Sequence, residues 1–267
     1  MYPHLSPSGH RVAVQEGGDI WVYDTERNTR TRITTSGGTD PVWTPDGRRV
    51  TFASNMAGTA SIYWAPADGS GEIELLVDRG RPAFPHSWSP DGEVLAFYEV
   101  SPDSARDIWI FRTDQDVPEP FLVTPFNERS PTFSPGGRWM AFVSDETGRD
   151  EVYVVPFPGP GGKLPLSTNG GREPVWLANG QGIVYRRGED MMAVVIRTSP
   201  MLSADRPTVL FASAAYDMLT GPSGSQGYDV THDGTKFVMT RGLQELAPTQ
   251  LNIVLNWFEE LRAKVGN

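Results

Sequence analysis

The stretch Trp88-Ser89-Pro90-Asp91-Gly92-Glu93-Val94-Leu95-Ala96-Phe97 joins an aromatic residue, a four-residue turn and a short β-rich run. Proline presets φ at the first central position, and Asp-Gly tolerates positive φ at the exit, so the segment reads as one strand reversing into the next. The turn recurs as Ser6-Pro7-Ser8-Gly9, Thr44-Pro45-Asp46-Gly47 and Ser134-Pro135-Gly136-Gly137, and in degenerate form as Leu177-Ala178-Asn179-Gly180 and Thr231-His232-Asp233-Gly234. Its final glycines lie 38, 45, 45, 43 and 54 residues apart, which matches one four-stranded propeller blade of roughly 40–50 residues.

Each turn leads into a second strand, such as Val50-Thr51-Phe52 or Met140-Ala141-Phe142-Val143, and then into a third, such as Ile62-Tyr63-Trp64 or Val152-Tyr153-Val154-Val155. Their continuous apolarity fits strands covered on both faces by neighbouring blades. A fourth run is visible in Arg32-Ile33-Thr34, Leu75-Leu76-Val77, Phe121-Leu122-Val123 and Val209-Leu210-Phe211, and is weakest in Leu164-Pro165-Leu166, where Pro165 belongs on an outer edge. The expectation is a single all-β domain over residues 1–267, a six-bladed β-propeller with blades at about 1–36, 37–80, 81–125, 126–169, 170–213 and 225–267.

With Ile-Ala-Phe-like and Ile-Trp-Val-like runs after each Pro-Asp-Gly turn, the chain resembles the TolB-like propeller repeats over nearly its whole length. The segments Asp19 to Tyr23, Thr124-Pro125-Phe126-Asn127-Glu128-Arg129, Pro156 to Lys163 and Leu255 to Leu261 are similar to the C-terminal propeller of bacterial membrane-linked serine/threonine kinases. No kinase signature accompanies them: the Gly-rich phosphate loop is missing, and His10-Arg11 is followed by Val12 instead of Asp. The resemblance implies peptide or protein recognition. In that family the segment before the first repeat supplies an outer strand to the last blade, so a chain starting at the innermost strand leaves blade six without its closing strand. Residues 257–265 read as a short helix able to cap that edge. Otherwise Ile253 to Trp257 leaves an apolar edge that invites a homodimer.

Composition narrows the function classes. The chain holds 33 Asp plus Glu against 23 Lys plus Arg, a net charge of −10, which disfavours nucleic acid as a partner. The absence of cysteine excludes disulfides, thiolate zinc sites and thiol nucleophiles. No apolar stretch approaches the roughly 20 residues of a membrane helix. Met1 to Ser6 lacks the features of an export signal, so the expected location is cytoplasmic and no membrane partner is expected.

Chemistry is sought where the innermost strands begin, because these positions converge on one mouth of the central channel. They are Tyr2 and His4, Asp40 and Val42, His86 and Ser87, Glu128 and Arg129, Arg172 and Glu173, and Tyr228 and Asp229. The two imidazoles, His4 and His86, with the carboxylates Asp40, Glu128, Glu173 and Asp229, have the donor types that bind one divalent metal: calcium, zinc or manganese. At those positions the resembling family commonly has a basic residue for His4, a small hydroxyl residue for His86 and the turn proline for His232. Two readings follow. In the first, the mouth binds a small molecule or peptide, and Arg129 and Arg172 pair with Glu128 and Glu173 as ordinary charge clusters. In the second, a metal activates water for hydrolysis of an ester, lactone or phosphotriester, with His4 or His86 as ligand or catalytic base.

Other motifs fail on context. Gly159 to Lys163 lacks the spacing, the Ser/Thr and the following helix of a phosphate loop. Gly221 to Ser225 lacks the glycines of a nucleophile elbow. Asp145 to Glu151 is too short for a twelve-residue calcium loop. Trp43, Trp88, Phe133 and Trp176 recur immediately before the turn and read as core between blades.

Overall fold

The computed structural model describes residues 3–159, 161–198, 201–212, 227–231, 234–240 and 251–254. Over these residues every regular element is a β-strand, and no helix is long and apolar enough to cross a membrane. The first sheet shows the pattern: His4–Leu5, Arg11–Glu16, Asp19–Asp24 and Thr29–Arg32 pair antiparallel in chain order. The second, third and fourth sheets repeat it with four strands each. In the fifth, Ser203–Ala204 and Thr208–Ala212 share the outer edge of Asp190–Arg197. The sixth contains three strands, Tyr228–Val230, Phe237–Thr240 and Leu251–Val254.

Among the described residues there are five full blades and a three-stranded sixth sheet, in place of the six blades expected. The helix expected over 257–265, and most of the edge expected to cap or dimerise, lie outside the described residues. Pro165 stands on the outermost strand of the fourth blade, where its missing N–H breaks no ladder.

The recurring turn explains why the chain reverses where it does. The N–H groups of Gly9, Gly47, Gly92, Gly137, Gly180 and Gly234 each donate to the carbonyl three residues earlier, at 2.7–2.9 Å. All six glycines have φ between 66° and 75°, a region that excludes most side chains. In five turns the leading hydroxyl also accepts the N–H five residues on, as Ser89 Oγ does from Val94 at 2.9 Å. Leu177 has no hydroxyl, which is why that copy looks degenerate in sequence.

The blades close radially through apolar clusters, each shared by two neighbours. Trp43 packs among buried residues of blades one and two, Trp88 of two and three, Phe133 of three and four, and Trp176 of four and five. Tyr228 and Phe237 join the sixth sheet to the fifth, and Val238 meets Leu5, Val12 and Val14 of the first. The recurring aromatics are therefore inter-blade core. Their indoles also latch backward: Trp43 Nε1 donates to the His4 carbonyl at 2.9 Å and Trp176 Nε1 to the Thr132 carbonyl at 3.1 Å.

Candidate functional site

One face carries the turns. The other carries the starts of the innermost strands, the hairpins between second and third strands, and the connectors between blades. On this mouth face the innermost strands of blades two, four and five bulge by one residue, beside the prolines Pro41, Pro131 and Pro174. The residue before each proline, Asp40, Ser130 and Glu173, takes a left-handed φ of 51°, 55° and 56°. Such values are rare for non-glycine residues and re-aim the strand entry. In blade three the irregularity falls at His86, opposite Ala96 and Phe97.

The six residues expected to ring the channel separate into two groups. His4, Asp40 and His86 line one small cavity with Pro3, Pro41, Val42 and Pro85. Its volume is about 30 Å³, room for two or three waters at roughly 10–15 Å³ each. Glu128, Glu173 and Asp229 do not line it; each is buried and held by its own donors. Glu128 accepts from Thr124 Oγ1 at 2.6 Å and Ser144 Oγ at 3.3 Å. Glu173 pairs with Arg186 Nη2 at 2.5 Å and accepts the Gly227 N–H at 3.4 Å. Asp229 accepts the Leu5 N–H at 2.8 Å.

Burial pushes the Asp229 carboxyl upward against the opposing pull of His4 and of the Leu5 and Val230 N–H groups. Burial likewise raises Glu173 against Arg186, and Glu128 against its two hydroxyl donors, with the nearby Asp107 charge adding to the rise. His86 moves the other way. Burial, with His4 beside it, lowers its imidazole to about 4, and neither ring nitrogen has a hydrogen-bond partner among the described residues. The Pro131 carbonyl and its own approach the ring and favour its proton without forming such a bond.

The residue preceding the recurring aromatic explains several of these positions. Asp229 takes the Leu5 N–H, His4 Nδ1 takes the Trp43 N–H at a long 3.4 Å, and Ser87 Oγ takes the Phe133 N–H at 3.1 Å. Thr132 Oγ1 donates to the Pro174 carbonyl at 3.1 Å. Each bond crosses to the next blade, so these polar side chains stitch the ring. As a metal cage the expected set does not fit: among the described residues no three His, Asp or Glu side chains form a group able to hold an ion.

The sequence reading missed the charge cluster where blades four and five meet. There Arg186 and Arg187 end a second strand at the places held by Ala53 and Ser54 in blade two and Val143 and Ser144 in blade four. Guanidinium groups replacing apolar and hydroxyl residues are the signal that could have found it. Asp150 receives both Arg129 and Arg172 at 2.5 Å. Burial alone would raise Asp150, but the two arginines outweigh it and hold the carboxylate ionised below its ordinary value. Arg129 and Arg172 thus pair with Asp150 and not with Glu128 and Glu173.

Around these pairs lies a cleft of about 330 Å³. Larger clefts of about 510 and 840 Å³ occupy the turn face between blades four and five and blades two and three. Their walls include the turn residues Pro135, Gly136, Pro45, Asp46, Pro90 and Asp91, which the fold uses in repeat after repeat. The mouth-face cleft includes Arg186 and Arg187, which depart from the repeat.

No family model matches the chain. It is 25% identical over 159 residues to the Agrobacterium fabrum protein Atu1656, covering 57% of this chain and 53% of that one. It is 25% identical over 207 residues to the Bacillus subtilis peptidase YuxL, itself uncharacterized, covering 57% and 31%. To a TolB homolog of Chlorobium luteolum it is 28% identical over 122 residues, covering 43% and 26%. The chain thus spans about half or less of the curated relatives it matches. Among solved structures, TolB from Acinetobacter baumannii superposes with a TM-score of 0.69 at 16% identity, over 95% of this chain and 60% of that one. An oligogalacturonate lyase in complex with manganese gives 0.62 at 12%, over 96% and 73%. With the recurring Pro-Asp-Gly turns and the radial clusters, these likenesses assign the fold: the chain is a TolB-like β-propeller.

Proposed function

We propose that this chain is a recognition module that binds a peptide or protein partner on its mouth face. The observation that carries this reading is the division of labour among the polar residues at the channel. His4, Ser87, Thr132 and Asp229 are engaged in stitching blades together. The channel cavity beside His86 has space for two or three waters, too little for an ester or phosphotriester. Arg186 and Arg187, which depart from the repeat, line an open cleft on the same face with Arg149 and Arg172. Rigid propellers present such loops as a preorganised surface, which lowers the ordering cost of binding.

The hydrolase reading rests on His4, Asp40 and His86, the part of the expected ligand set that shares a cavity. The lyase and peptidase names above belong to those proteins, and a shared fold does not transfer an activity.

Display selection of peptides on the purified chain tests the proposal. Selected peptides should lose affinity in Arg172→Ala on the mouth face and keep it in Arg48→Ala on the turn face. Loss in Arg48→Ala alone would overturn it. So would a stoichiometric metal accompanied by chelator-sensitive hydrolysis that disappears in His86→Ala.

A further inference from the structure

The cleft between blades four and five brings together Arg149 and Asp150 from one hairpin, Arg172 from the connector, and Arg186 and Arg187 from the next hairpin. Four guanidinium groups and one carboxylate thus line about 330 Å³, in a chain whose net charge is −10. Composition alone would not place them together.

Each guanidinium is paired with a carboxylate. Arg186 is held by Glu173, Arg187 by Asp190 at 3.0 Å, Arg149 by Glu151 at 3.1 Å, and Arg172 by Asp150. Arg129, behind the wall, shares that same Asp150. A guanidinium carries five N–H donors in a rigid fork, and these bonds use only part of each. Arg186 and Arg129 have side chains 6% and 9% exposed. Even so, Arg186 Nε and Arg129 Nη1 have no acceptor.

The charge balance selects the ligand. Arg129, Arg149, Arg172, Arg186 and Arg187 face Asp150, Glu151, Glu173 and Asp190. These paired groups leave an excess of one positive charge, and Glu189 lies exposed in the same hairpin, so little net charge remains, which suits one carboxylate better than a phosphate dianion. We infer that this cleft is the anion pocket of the mouth face and takes a carboxylate side chain or terminus of an acidic peptide. The inference rests on the recognition reading above and names the chemistry of its ligand.

The test is anisotropy of a labelled polyglutamate peptide, with the polyglutamine peptide as control and inorganic phosphate as competitor. The glutamate peptide should bind and the glutamine peptide should not. Arg172→Ala and Arg187→Ala, both partly exposed positions, should each weaken binding by about tenfold. Rising salt should weaken it further, and unfolding curves would confirm that both variants remain folded. Failure of the glutamate peptide to bind, or binding by both variants as tight as by the parent chain, would overturn the assignment. Tighter binding of phosphate than of the peptide would overturn it too. Display-selected peptides that bind the mouth but ignore Arg187→Ala would sink the anion pocket and leave the recognition face standing.

Discussion

The Leu5 N–H donates to Asp229 Oδ2 at 2.8 Å across 224 positions of sequence. This bond closes the circle between the sixth sheet and the first, where the shared cluster has Leu5, Val12, Val14 and Val238 as its buried members among the described residues. Asp229→Ala leaves a buried N–H without an acceptor and should cost about 1–3 kcal/mol. Asp229→Asn retains an acceptor and should recover most of that loss. Urea unfolding of the two variants measures the difference.

His86 should make stability depend on pH. Its folded pKa of about 4 lies below the ordinary value of 6.5, so the unfolded chain binds the proton first. The stabilising contribution is complete above pH 6.5 and is lost as pH falls through 4, by on the order of 3 kcal/mol at about 1.4 kcal/mol per pKa unit. His86→Leu should abolish that part of the pH dependence. Because neither ring nitrogen has a partner, it should leave stability at neutral pH unchanged or higher. Denaturant midpoints measured from pH 4 to 7 provide the check.

The fold was legible because every repeat prints the same turn chemistry, and the six glycines with positive φ lie at the six positions the spacing marked. The candidate site is less legible: Asp40, Ser130 and Glu173 each stand seven positions before their turn glycine, whereas Glu128, expected beside Asp40 and Glu173, stands nine before Gly137 and just outside the innermost strand Arg129–Phe133. The partners of Arg129 and Arg172 were also misread, because Asp150 comes from a hairpin far from both in register. The stitching role of Asp229 depends on a contact between opposite ends of the described chain, which no local pattern encodes.

Gly171 shapes the connector that carries Arg172. A Cβ there would sit 2.5 Å from Ser167 Oγ and 2.9 Å from Val152 Cγ2. Ser167 Oγ in turn accepts the Val152 N–H at 2.8 Å and donates to Glu151. Gly171→Ala should therefore destabilise by about 1–3 kcal/mol. Gly162→Ala, where a Cβ meets nothing within 4 Å, should stay within about 0.5 kcal/mol of the parent. Thermal or urea unfolding distinguishes the two.

Recognition on the mouth face is tested most directly by amide hydrogen exchange with and without a saturating display-selected peptide. Protection should concentrate in residues 145–151, 167–173 and 186–190, the segments around the arginine cleft. Protection confined to the turn face, around residues 44–49 and 89–94, would contradict the account.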